Sequence, residues 1–86
     1  MSVGDLNALY WKILRAYCLY CDVPKECLED IVDELHKGFK TLFEVKSISK
    51  GSITKQQMHE YVQKVQMILA REYGFSLDQD EELKFN

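Results

Sequence analysis

With 86 residues, 47% of them apolar, 29% charged and a single proline, the chain fits one small folded domain and excludes a multidomain enzyme. A chain of this length buries only roughly 60 to 65% of its unfolded surface, so a stable core leaves little room for a deep catalytic cleft. The formal charge of -3, from 11 lysines and arginines against 14 aspartates and glutamates, excludes a uniformly basic nucleic-acid coat and makes the placement of the lysines decisive.

Leu6, Leu9, Tyr10, Ile13, Ala16, Tyr17 and Tyr20 recur at intervals of three and four, which predicts a first helix from about Gly4 to Cys21. Ser2 suits the N-cap, and Asp5 places a carboxylate beside the free N–H groups of the first turn. Trp11, Leu14 and Cys18 form a second stripe on its flank, an apolar width that predicts contacts with more than one neighbour. Pro24 breaks the chain and suits a first helical position, so a second helix is expected from there, with Leu28, Ile31, Val32, Leu35, Phe39 and Leu42 on its apolar face. Gly38 lowers helix propensity by about 1 kcal/mol, which predicts an end or a loosening between Lys37 and Leu42.

From Leu42 to Thr54 the period is lost and a loop is expected, with a short extended piece before the third helix. Thr54 and Gln57 form a capping box, and Met58, Tyr61, Val62, Val65, Ile68, Leu69 and Tyr73 line one face up to a stop at Gly74. The sequence therefore predicts an all-α, compact three-helix domain over residues 1–77, followed by an acidic tail over 78–86 that is expected to be mobile. No stretch reaches the ~20 apolar residues of a membrane span and no signal-peptide pattern opens the chain, so a cytoplasmic location with reduced thiols is expected.

Cys18, Cys21, Cys27 and His36 can be counted out as a Cys3His zinc set, but a cysteine on an amphipathic helix is ordinarily a small buried apolar residue. No metal, other cofactor or catalytic residue is assigned. His36 and His59 stand among charged neighbours, read as solvent-facing, and lack a marked nucleophile as partner. Glu29, Asp30, Asp33 and Glu34 read as a solvated helix face, since their spacing fits no calcium loop.

The charge distribution says more. Lys37, Lys40, Lys46, Lys50 and Lys55 fall in a stretch with one acid, Glu44, whereas the rest of the chain holds six basic residues and thirteen acids. Ser47, Ser49 and Ser52 lie within this stretch, which runs into the N-terminus of the third helix. Hydroxyls, backbone N–H groups and ammonium groups gathered there are what a phosphate backbone requires. Trp11, off the principal stripe, and Phe43, beside the lysine loop, are the aromatic candidates for stacking on bases. Helix faces this wide in so short a chain also suggest a homodimer.

Asp5-Leu6-Asn7-Ala8-Leu9-Tyr10-Trp11 resembles the asparagine-then-tryptophan opening of the helical part of bacteriophage NinB/Orf recombination proteins. Ser47-Ile48-Ser49-Lys50 resembles their serine/threonine-rich basic loop. Ile53-Thr54-Lys55-Gln56-Gln57-Met58-His59-Glu60-Tyr61-Val62, continued by Ala70-Arg71-Glu72-Tyr73-Gly74-Phe75, is similar to their C-terminal helix and its glycine stop. The resemblance spans about residues 5 to 78. It implies a non-enzymatic, dimeric mediator in a bacterial host's cytoplasm, engaging single-stranded DNA and the host single-strand-binding protein. The alternative carried by the residues is a small helical protein–protein interaction module without nucleic-acid affinity, docking through the spare stripe of the first helix.

Overall fold

Ser2 opens the first helix, α1 (Val3–Tyr20), through a reciprocal cap in which its hydroxyl accepts from the Asp5 N–H at 3.1 Å and its own N–H donates to the Asp5 carboxylate at 3.0 Å. The computed structural model describes residues 2–49 and 51–76, so Lys50 and the acidic tail lie outside the described residues. α1 stops where Asp22 turns left-handed (φ 61°), letting Val23 N–H donate back to Cys18 O at 3.0 Å. Pro24 keeps an extended ψ of 145° and precedes a single 3-10 turn, Lys25–Cys27, so the second helix begins later than the proline suggests.

That helix, α2 (Leu28–Leu42), runs unbroken through Gly38, contrary to the loosening expected there. Phe39 and the flanking Leu35 anchor the turn in the core and override the glycine's weak propensity. A Cβ at Gly38 would meet nothing within 4 Å. Gly38→Ala is therefore expected to raise stability by about 1 kcal/mol, read as a shift of the urea midpoint at constant slope. α2 ends at a left-handed Glu44 (φ 57°), with Val45 N–H donating to Lys40 O at 2.8 Å and Glu44 N–H to Thr41 O at 3.2 Å. No strand forms before the third helix among the described residues. Thr54 and Gln57 form the expected capping box, α3 spans Lys55–Tyr73, and Gly74 (φ 66°) closes it with Phe75 N–H on Leu69 O.

Arg15 binds Glu29 and Tyr10 meets His36, so α1 and α2 are antiparallel; Tyr10 meets Tyr61 and Tyr17 meets Tyr73, so α1 and α3 are parallel. Both later helices pack on α1 and hardly on each other. This arrangement corrects two expectations. Leu14, offered as part of a spare docking stripe, is 0% exposed because α1 is covered on both sides, the two neighbours that the width of its apolar face implied, whereas Cys18, 1% exposed, is the buried apolar cysteine expected there. Conversely Ile31, Leu42 and Tyr73, read as core, are 39%, 59% and 57% exposed because the edges of their stripes face the opening between α2 and α3. No helix among the described residues is long and apolar enough to cross a membrane.

A polar chain threads the core where the three helices meet. The Tyr10 hydroxyl lies 2.7 Å from His36 Nδ1 and 2.9 Å from the Tyr61 hydroxyl. His36, expected on the solvent face, is half-buried between this hydroxyl and the Trp11 ring, whose centroid is 4.6 Å away. Loss of hydration, with Lys40 nearby, moves the His36 pKa below its ordinary value, and Asp33 opposes that only in part. The fold thus favours neutral imidazole. The associated stability is complete above the unfolded pKa of about 6.5 and is lost as pH falls through the lower folded value. The His36 ring protons, followed by NMR, should titrate with a midpoint below that of a free histidine; a midpoint above it would contradict this environment.

Candidate nucleic-acid interface

The last turn of α2, the loop and the first turn of α3 converge at the end of the bundle where α1 begins. Asn7 Nδ2 donates to Ile48 O at 2.6 Å, and the Ile48 side chain is buried in the core. These two contacts pin the middle of the loop, leaving Lys46 and Ser49 exposed. Tethering from the first helix is what sequence periodicity could not show, because Asn7 and Ile48 are 41 residues apart.

Lys37, Lys40 and Lys46, with Thr41, Glu44 and Val45, border one shallow groove of about 520 Å³ at the end of α2. Lys37 is the weakest member as a ligand for phosphate. Its ammonium group sits 3.1 Å from Asp33 and 3.9 Å from Glu34, and the hydrogen bond it donates to Asp33 raises its pKa above the ordinary lysine value. Among the described residues no ion pair forms at Lys40, Lys46 or Lys55. Lys55 is exposed on the first turn of α3, beside the positive pole of that helix. Because α1 and α3 are parallel, both present their N-termini at this end. Lys50 lies outside the described residues.

The hydroxyls of the three loop serines, read as groups suited to a phosphate backbone, are engaged with one another. Ser47 Oγ and Ser49 Oγ lie 2.8 Å apart, Ser49 Oγ and Ser52 Oγ 3.0 Å, and Ser52 Oγ reaches Ser47 Oγ at 3.1 Å. Ser52 Oγ also donates to Ser49 O at 2.7 Å. The three hydroxyls close a ring that shapes the bend, so a hydroxyl hydrogen must leave its acceptor oxygen within the loop before it could reach a phosphate oxygen.

Phe43 and Trp11 are on different faces. Phe43 is half-buried, stacked on Phe39 with centroids 6.2 Å apart and edge-on to Tyr61 at 6.0 Å, and Lys64 Nζ lies 5.7 Å from its centroid. Lys64 is a cation at this end that the loop-centred reading missed; no local sequence signal marks it, since it arrives from α3 across the bundle. Trp11 borders a separate groove with Ala8, Arg15, Glu29, Val32 and Asp33, where carboxylates rather than lysines stand beside it. The structure brings Phe43 to Lys64 and places neither Phe43 nor Trp11 on the border of the groove formed by Lys37, Lys40 and Lys46.

The cysteines are all free, Cys18 buried and Cys21 and Cys27 exposed. Burial pushes the Cys18 thiol pKa up, the opposite of what a metal-ligating thiolate needs. Among the described residues no three His, Cys, Asp or Glu side chains gather as a metal site, and His36 is held by Tyr10 instead. Comparison with known proteins adds no further assignment: no family model, no curated protein and no solved structure matches the chain.

Proposed function

We propose that the chain is a non-enzymatic recombination accessory of the phage NinB/Orf type that holds single-stranded DNA along the lysine end of the bundle. The observation that carries this reading is the gathering of Lys40 and Lys46 around one groove with no ion pair at either among the described residues and one acid, Glu44, beside them, with Lys55 at the start of the third helix. The motif resemblance supplies the biological setting, including the host single-strand-binding protein as a partner. Backbone phosphates bind the ammonium groups, and Phe43 with its covering Lys64 forms the apolar and cationic edge against which a base can rest.

Binding by about four lysines gives a logarithmic salt slope near -3 on single strands. A labelled oligonucleotide titrated at increasing salt should show that slope, and no binding at low salt would defeat the proposal. Glu44 sharpens the test. It is the acid inside the groove and also holds an unfavourable left-handed backbone. Glu44→Gly should stabilise the fold by about 1 kcal/mol and also raise oligonucleotide affinity several-fold, two effects with separate readouts.

A second reading, a helical module that docks a protein, is favoured by the exposed Ile31, Leu42 and Tyr73. Its surface is the opening between α2 and α3, because the α1 stripe first considered for it is core. A partner held there would survive high salt and be indifferent to Lys46→Glu.

A further inference from the structure

The opening between α2 and α3 is an apolar groove of about 380 Å³, floored by Tyr17 of α1 and walled by Ile31, Leu35 and Leu42 on one side and Ile68 and Tyr73 on the other. The α2 wall runs from Ile31 to Leu42, about three helical turns or ~16 Å. Gly38 interrupts that wall: its backbone is helical, and a Cβ there would touch no atom. A glycine with no steric reason inside the chain leaves a dent where another backbone can approach closely. We infer that this groove receives an amphipathic helix of a different protein, one whose edges are basic.

The form of the occupant follows from the walls. Their backbone groups are already used in the hydrogen bonds of α2 and α3, so the groove offers no edge to an extended strand. A helix satisfies its own backbone and lays an i, i+4, i+7 stripe against the apolar floor. α2 and α3 each rest on α1 but hardly on one another, so such a helix takes the fourth place of a bundle.

The charge of the occupant follows from the rim. Glu34 borders the groove on α2 and Asp30 stands one turn before it, while on α3 Glu72 lies between Ile68 and Tyr73 around the helix. Lys37 is turned to Asp33 at 3.1 Å and shares Glu34 at 3.9 Å, and Lys64 is held 5.7 Å from the Phe43 ring at the other end of the groove. Because α2 and α3 run in opposite directions, the start of one meets the end of the other around Tyr73. Among the described residues that end sets Lys25 and Arg71 against Glu26, Asp30, Glu34 and Glu72. The chain leaves the same end through Phe75, which packs on Tyr17, and its continuation carries Asp78, Asp80, Glu81 and Glu82 against Lys84. Acids on both rims repel their own copies in a twofold pairing and attract a basic edge.

This inference rests on the protein-docking reading and stands without the DNA one. The test titrates the full chain with a labelled amphipathic peptide of about 18 residues bearing a leucine stripe and lysines along both edges. A twin with glutamates for the lysines and a scrambled peptide of the same composition are the comparisons, and NMR follows the amide shifts. The lysine peptide should bind with a micromolar dissociation constant, shift the amides of Ile31, Gly38, Leu42 and Ile68, and weaken several-fold but persist in half-molar salt. The glutamate twin should bind about tenfold more weakly. Gly38→Gln, which fills the dent while improving helix propensity, should lower the affinity about tenfold. Leu42→Glu should do the same although its added negative charge favours a merely electrostatic contact, and circular dichroism checks that both variants stay folded. Lys46→Glu should leave peptide binding unchanged while weakening oligonucleotide binding. A glutamate twin that binds as tightly as the lysine peptide keeps a docking groove but overturns its basic occupant. Equal binding of the scrambled peptide, shifts confined to other faces, or no binding at all, as when a second copy or residues 77–86 already fill the groove, overturns the inference together with the docking reading.

Discussion

Reversing Lys40, Lys46 and Lys55 to glutamate together is expected to lower single-stranded DNA affinity at least a hundredfold near 0.1 M salt, with helical content unchanged. The magnitude follows from counterion release: each phosphate contact contributes about 0.7 to the logarithmic salt slope, so three lost contacts remove about two decades at that salt, and the added negative charges repel what remains. The slope itself should fall by about 2 over the range that remains measurable. None of the three side chains makes an ion pair among the described residues, so their loss leaves no buried or paired carboxylate behind. Lys25→Glu, in the 3-10 turn at the opposite end of the bundle, should have a small effect. Equal losses from the two variants would mean that only net charge is being read and that no localised site exists. Lys37 is omitted because Asp33 and Glu34 already offset it.

The same lysine end shows where sequence reasoning succeeds and where it stops. The caps were legible because Ser2/Asp5 and Thr54/Gln57 are local devices whose partners lie three residues apart. That Lys37, Lys40 and Lys46 share one groove was legible because the three sit within one short stretch. Glu44 at a left-handed stop was not, since non-glycine residues seldom hold that position and a glutamate there carries no signature. Lys64 against Phe43 and Asn7 against Ile48 depend on which helices become neighbours, and that is set by the whole core. The serine ring is a subtler case. Composition counted three hydroxyls correctly, but only geometry reveals that they face one another.

The division of apolar residues between core and surface is decided by helix arrangement, and Leu14→Ala is the substitution that tests it most severely. On the spacing pattern alone Leu14 belongs to a flank of α1 and its truncation would cost little. In the structure it is 0% exposed, packed inside a helix that both others cover. Removing its isobutyl group leaves a cavity that the surrounding side chains cannot fill completely, a loss of about 3 kcal/mol. Domains of this size hold only about 5 to 10 kcal/mol in total, and each kcal/mol moves the midpoint by several degrees, so Tm should fall by roughly 15 °C. Leu19→Ala, five residues along the same helix at a position 57% exposed, should shift Tm by no more than a few degrees. Thermal and urea unfolding of both variants at matched concentration would measure the contrast. Equal, small shifts would mean that α1 keeps one flank open after all, and the placement of α2 and α3 on its two sides would have to be abandoned.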